Sequence, residues 1–439
     1  MRIAYLCSDA GVPIGGPKGA SVHVAEMTRA MADLGHEVRI FARRTVAGQE
    51  PTAPGAAHVL EPRISLSVPP ADAIDAALEG WLRADPDAGR AEAWTVSAIA
   101  GAGAFRRQAR EEVRDFAPDL LYERYALFGA AGASLADELA VPFVLEVNAP
   151  LSDEQAAHRG LGFPGASRAM ERHILGRADA VVAVSGAVRD WLAGQGVPVD
   201  RIEVLANGVD TQRFRPNMLT HERRAAARCR LALGAGPVVG FVGTLKPWHD
   251  VASLLRAVAL LRQDGVPVVA LIVGEGPQRR ELEALATELE LAAVTTFTGA
   301  VPHDRIPALL SVMDVGVAPY RPQEGFYFSP LKLFEYLAAG LPVVAARMGD
   351  IGHCVGAGTG GWGYAAGDAP SLADALRAAL RDPQEAARRG RAGRDHVLAG
   401  HTWRHNAERV LAMAERCTMT TAACRGTLAR RAVPVGGGI

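Results

Sequence analysis

The stretch SPLKLFEYLAAGLPVVA, residues 329–345, puts a lysine where a helix already presents positive field. Ser329 and Pro330 read as N-cap and first helical residue, which places Lys332 three residues past the cap. The free N–H groups and the dipole of a first turn favour an acid or amide there. A cation makes chemical sense if a doubly charged anion such as pyrophosphate lies against the helix mouth. Lys332, Glu335 and Ala339 fall on one face at spacings of three and four, and Leu331, Phe334 and Leu337 or Ala338 on an apolar one. Glu335 sits about one turn deeper, where a carboxylate can accept two hydrogen bonds from a diol such as ribose. An exposed lysine with a structural Glu335 is the plainer account. The glycine–aromatic loop before the helix and the apolar strand after it favour the ligand.

Other candidates follow apolar runs. In FVGTLKPWHD a strand ends at Gly243, and Lys246 and His249 follow; Lys246 would supply a second positive charge to a diphosphate. LIVGEGPQRREL carries Gly274 and Gly276 but lacks the third glycine of a dinucleotide fingerprint, so it is a weak dehydrogenase signal. Glu123, Arg124 and Asn148 follow strands of the first half. They read equally as groups that position an acceptor or sugar and as a buried polar network at strand ends. Lys18 and His23 lie in the glycine-rich GVPIGGPKGASVH, which suits a closing lid. Asp85-Pro-Asp87 reads as a solvated turn and not a metal site. His36, His58, His303 and His401 read as surface or structural residues.

Such groups need rigid elements behind them. The chain has 439 residues, with 47 Lys and Arg against 48 Asp and Glu for a net charge of −1, so it has no global pull toward nucleic acid or anionic membrane. Apolar residues make up 49%, which indicates a globular chain. Five scattered cysteines without ligand spacing suit a reducing compartment, and MRIAYLC reads as a buried first strand and not a signal peptide. The expectation is a cytoplasmic protein.

IAYLC, EVRIFA, DLLYE, PFVLEV, ADAVVAVS and RIEVLANG form one series of apolar runs alternating with helical stretches. PVVGFVG, VPVVALIVG, AVTTFTG, DVGVAPY and LPVVAA form a second. This predicts two α/β, Rossmann-like parallel-sheet domains facing each other across a cleft. The expected boundaries are 1–212 for the acceptor-side domain, with an insert near 45–103, then a linker at 213–236 and the second domain at 237–400. A crossover helix at 401–416 returns to the first domain, with Trp403 packed at the crossing, and 417–439 reads as a flexible tail. Arg223, Arg224, Arg228 and Arg230 form a basic cluster near the linker, read as a solvated helix and compatible with peripheral membrane contact.

VLANGVDTQRFRP, FVGTLKPWHD, IVGEGP, FTGAVPHDRIPALLSVMDVGVAPY and SPLKLFEYLAAGLPVVA occur in an order that resembles the large retaining glycosyltransferase family containing sucrose synthases and bacterial mannosyltransferases (family 4-like, group 1). The likeness implies the GT-B fold, a hexosyltransferase-type activity and a nucleotide-sugar donor held by the second domain. On that likeness Glu335 binds ribose hydroxyls, and the loop of Gly325, Phe326, Tyr327, Phe328 and Ser329 meets sugar and diphosphate. Gly274, Glu275 and Gly276, with residues Gly299 to Val301, surround the base, and Gly15 and Gly16 close on the diphosphate. The chain departs from the pattern at Tyr327, where the family often has a first glutamate; Glu324 lies three residues earlier. It departs again at Thr244, at His249, and at Asn148, where a histidine often stands.

The likeness implies retention of anomeric configuration, with helix N–H groups, Lys332 and Lys246 stabilising the leaving diphosphate, and neither metal nor cofactor. UDP is the leading choice of nucleotide. The acceptor is a hydroxyl compound of bacterial glycan, glycolipid or natural-product synthesis. A GT-B epimerase and a non-catalytic nucleotide-sugar sensor are the rival readings.

Overall fold

The computed structural model describes residues 1–46, 58–68, 89–356 and 360–431, together with 77, 80 and 84. Asp85 and Asp87, much of the expected insert and residues 432–439 lie outside them. The chain forms two compact units, residues 1–205 with 406–439, and residues 206–405.

The first unit contains β1 (Arg2–Cys7), β2 (Glu37–Ala42), β3 (His58–Glu61), β4 (Ile64–Ser67), β5 (Leu120–Arg124), β6 (Phe143–Val147), β7 (Ala180–Ala183) and β8 (Ile202–Val204). Their order is β3-β4-β2-β1-β5-β6-β7-β8, parallel except for the β3–β4 pair. That antiparallel pair lies within the expected insert near 45–103. The second unit contains β9 (Val238–Val242), β10 (Val269–Val273), β11 (Thr295–Phe297), β12 (Val315–Ala318), β13 (Val343–Ala346) and β14 (Gly361–Tyr364). Their order is β11-β10-β9-β12-β13-β14, with every pairing parallel. Strands β9, β10, β12 and β13 are buried at every residue, which is why they read as continuous apolar runs and not as alternating ones.

In each sheet the strand order reverses beside the first strand, between β1 and β5 and between β9 and β12. The loops that leave these strand pairs at their carboxyl ends part from each other there, opening the crevice where doubly wound sheets bind ligands. Gly243 and Gly274, the residues after β9 and β10, take φ of +148° and +137°. A side chain at Gly274 would bring its Cβ within 2.0 Å of the Gly243 carbonyl oxygen, so the two loops abut backbone to backbone.

Residues 213–236 are not a linker. Phe214 belongs to the core of the second unit, and the helix His221–Arg230 is fastened to it: Arg224 Nη2 bonds Asp314 at 2.6 Å and Arg228 Nη1 at 3.4 Å. Half of the expected basic cluster is thereby spent on one carboxylate. The chain changes unit after Leu205 and not near 212. Nor does the final helix stop near 416: it runs Trp403–Arg431, joins the first unit from Asn406, and bonds Glu203 through Arg409 at 2.6 Å and Arg416 at 3.2 Å. Trp403 is buried, its backbone against Gly208 of the second unit. Among the described residues, no helix is long and apolar enough to cross a membrane.

Gly274→Ala should destabilise the second unit by about 1–3 kcal/mol, the usual cost of forced overlap, and lower the Tm of that unit in a calorimetric scan.

Candidate active site

The helix Leu331–Ala338 starts at the β12 side of the second switch point. Pro330, not Ser329, occupies its N-cap. Ser329 turns to Asn207 instead: its Oγ accepts the Asn207 N–H at 2.8 Å, and its carbonyl accepts from Asn207 Nδ2. The expected two-faced helix is also corrected, since every residue from Lys332 to Ala338 is buried.

Lys332 is 8% exposed. Its ammonium lies 4.2 Å from the Phe241 ring centroid and 5.6 Å from that of Tyr320. It packs against Gly243, where an added Cβ would stand 2.8 Å from Nζ. No hydrogen-bond acceptor meets Nζ among the described residues. Ring faces attract a cation but do not replace an acceptor. Burial therefore lowers the Lys332 pKa to about 7, opposed in part by the charge of Glu335.

Glu335 is likewise buried and accepts from His303 Nε2 at 2.7 Å. His303, read from sequence as surface or structural, stands against the Phe214 ring at 5.4 Å and is the immediate partner of Glu335. Nothing in the local pattern of VPHDR marks it, because the contact closes across 32 residues.

Lys246 is half-buried, with Nζ 5.2 Å from the Trp248 ring centroid. His249 Nδ1–H donates to the Thr244 carbonyl at 2.5 Å, with its ring between Phe241 and Tyr320 at 5.8 and 5.5 Å. Burial first, and then the Lys332 charge, lower the His249 pKa to about 3, so this ring stays neutral. Gly243, Gly274, Lys246, His249 and Lys332 thus share one end of the sheet.

Phe326 and Tyr327 are buried and Phe328 half-buried. Their rings form a cluster with Tyr320, including Tyr320–Phe326 at 5.1 Å and Tyr327–Phe328 at 4.6 Å. Gly325 takes φ +61° and Glu324 is exposed. Glu275 is exposed, its Oε1 accepting the Gly276 N–H at 3.1 Å; Gly274 donates to the Gly299 carbonyl at 3.0 Å, and Val301 is half-buried.

In the first unit Gly15 is exposed at φ +79°, and Gly16 is buried, its N–H donating to the Pro13 carbonyl at 3.1 Å. Exposed Lys18 donates to the Gly11 carbonyl at 3.1 Å. A cavity of about 420 Å³ opens beyond β1 and β5, lined by Ser8, Asp9, Arg43, Trp94, Gln155 and Arg159 among others.

The three first-unit candidates separate into two places. Glu123 is fully buried, accepting the Gly132 N–H at 2.9 Å and the Ser8 hydroxyl at 3.4 Å. Burial pushes its pKa up to about 7, against the lowering effect of those two bonds. Arg124 and Asn148 instead meet at Glu146, with Arg124 Nη1 at 2.8 Å and Asn148 Nδ2 at 2.5 Å from Oε1. His23 joins the same carboxylate at 2.7 Å, placing it within a buried cluster.

Two family models match: residues 236–382 fit Glycosyl transferases group 1, and residues 17–213 fit Glycosyltransferase Family 4. The chain is 31% identical over 405 residues to a D-inositol 3-phosphate glycosyltransferase of Nocardia farcinica, covering 90% of this chain and 83% of the relative. It is 35% identical over 248 residues to a GDP-mannose-dependent alpha-(1-6)-phosphatidylinositol monomannoside mannosyltransferase of Mycolicibacterium smegmatis, covering 56% and 64%. Among solved structures, sucrose-phosphate synthase from Thermosynechococcus elongatus superposes with a TM-score of 0.73 at 22% identity, covering 96% of this chain and all of that one. Anabaena HepE in complex with UDP-glucose gives 0.69 at 21%, with the same coverage. The chain belongs to the group 1, family 4-like glycosyltransferases, and its two parallel-sheet units are those of the GT-B fold. It is an enzyme of sugar transfer from a nucleotide-sugar donor.

The Glu123 carboxyl titrates near 4.5 in a solvated chain and near 7 when folded. Its contribution to stability is therefore present below about 4.5 and lost as pH rises through about 7. Glu123→Gln keeps the shape and removes the ionisation. Its Tm relative to wild type should rise between pH 5 and pH 8, read by calorimetry across that range.

Proposed function

We propose that the second unit holds a nucleoside-diphosphate sugar with its phosphates between Gly243 and the mouth of the helix Leu331–Ala338, and that the enzyme transfers the sugar with retention to a hydroxyl acceptor. The observation that carries this reading is the Lys332 ammonium, out of water and without an acceptor among the described residues at the first turn of a helix. A diphosphate supplies the acceptor that this cation lacks, at the positive end of a helix. Lys246 adds a second charge, and Glu335, held by His303, offers its remaining oxygen to ribose hydroxyls. Gly274, Glu275 and Val301 border the base, and the loop from Gly325 to Ser329 borders the sugar. Charge developing on the leaving diphosphate is met by these fixed groups, so turnover should survive chelation of metal ions.

The acceptor belongs to the first unit, where the cavity beyond β1 and β5 offers hydroxyl, amide and both signs of charge beside an indole face. Gly15 and Gly16 supply an adaptable loop at the end of β1, and Arg124 and Asn148 present donors at the ends of β5 and β6. UDP-sugars head the donor screen. GDP-mannose joins them because the Mycolicibacterium smegmatis relative is a GDP-mannose-dependent mannosyltransferase, and inositol phosphates and phosphatidylinositol mannosides are the acceptor types suggested by the two relatives. The reaction is assigned to the cytoplasm.

Lys332→Ala and Glu335→Ala should each weaken donor binding by about 1.5–3 kcal/mol, roughly tenfold or more in Kd, while the fold is kept. Titration calorimetry with UDP-glucose and GDP-mannose reads this. Normal affinity in both variants overturns the site. A diphosphate should also raise the Lys332 pKa from about 7, so binding near pH 7.5 should take up protons, seen as a buffer-dependent enthalpy that is absent in Lys332→Ala.

A further inference from the structure

We propose that Glu146 is a positioning residue for sugar transfer, acting through Arg124 and Asn148. The inference rests on the reading that these two side chains meet the substrates.

Strand β6, FVLEV, is buried at all five positions, and Glu146 is its only polar residue. The carboxylate is 1% exposed and takes two donors on each oxygen. Oε2 receives His23 Nε2 at 2.7 Å and the Tyr122 hydroxyl; Oε1 receives Arg124 Nη1 at 2.8 Å and Asn148 Nδ2 at 2.5 Å. Burial pushes the carboxyl toward protonation. The charges of His23 and Arg124 and the bonds from His23 and Asn148 outweigh that and hold it well below the usual carboxylate range. With all four lone-pair directions engaged, Glu146 has nothing left to offer a substrate.

Its partners do. Arg124 has five N–H groups and Asn148 an amide with donors and an acceptor, and each gives one N–H to Glu146. Both are only part-buried and stand at the carboxyl ends of β5 and β6, the ligand-facing edge of a parallel sheet. His23 lies on the helix Gly19–Asp33, directly after the loop that carries Gly15 and Gly16. One carboxylate thus ties the glycine loop's helix to the two side chains.

A buried ionic cluster is a poor stabiliser compared with an apolar residue of equal volume, and the residues of β6 around Glu146 are apolar. What the cluster supplies is orientation: the Arg124 fork and the Asn148 amide are held in single poses before substrate arrives, which lowers the reorganisation needed for transfer.

Glu146→Gln keeps the shape but replaces one acceptor oxygen with a competing donor. In the full-length protein we expect at least a tenfold fall in kcat for release of UDP from UDP-glucose, or of GDP from GDP-mannose, with donor KM changed less than twofold. We also expect Glu146→Gln added to Arg124→Ala/Asn148→Ala to lower kcat no further than that pair does. An unchanged kcat per folded molecule overturns the proposal, as does a further drop in the triple variant equal to the drop in Glu146→Gln alone. Should Glu146→Gln not fold, Glu146→Asp, which keeps the charge and withdraws both oxygens, must show the same loss of kcat at constant KM; wild-type kcat there is equally fatal. If Lys332→Ala loses donor binding while Glu146 variants keep kcat, this inference falls and the donor site stands. The opposite pattern removes the donor site and leaves this inference.

Discussion

Keeping an ammonium out of water without an acceptor is costly, and among the described residues Lys332 is in that position. The surrounding groups mitigate the cost without removing it: two aromatic faces, the Glu335 charge, and a lowered proton affinity. On the function proposed above, the missing partner arrives with the substrate. The backbone around it is arranged for close approach. Gly243 has no side chain to obstruct Nζ, and Gly274 has none to separate the two loops.

The first unit treats buried charge in the opposite way. Glu146 is saturated by four donors, and Glu123 is satisfied by one N–H and one hydroxyl in a separate pocket of the same sheet. One carboxyl is driven toward ionisation and the other toward neutrality, though both lie fully inside; Glu146 has the Arg124 guanidinium and three further donors, whereas Glu123 has the Gly132 N–H and the Ser8 hydroxyl. Side chains adjacent in sequence, Glu123 and Arg124, therefore serve different surroundings, because successive residues of a strand point to opposite faces.

Much of the architecture was legible because buried parallel strands are written as apolar runs, and eleven such runs were read in two series. The antiparallel pair β3–β4 escaped because its residues lie in a weakly patterned alanine- and proline-rich stretch. The helix His221–Arg230 was mistaken for linker because its polar surface hides how Arg224 and Arg228 reach back to Asp314. The last helix was cut short at Arg416 because its apolar period fades after Ala414. Of the residues proposed for the donor site, Lys332 and Glu335 stand out in the sequence by type and position in a helix. His303 and Glu146 do not, since their roles depend on contacts between distant segments. Glu146 did leave one trace, a lone acid inside an otherwise apolar strand, which is a fair signal for a paired buried charge.

The first unit is assembled from two separated lengths of chain, with the whole second unit between them. A ribosome therefore delivers every residue of the second unit before the first has its closing helix. Val410, Met413 and Ala414, which that helix buries, must wait until the second unit has been made. Until then the opening half of the enzyme exposes an apolar seam, and a chain halted before Asn406 would leave the ribosome with its later-made unit complete and its earlier-made unit unfinished.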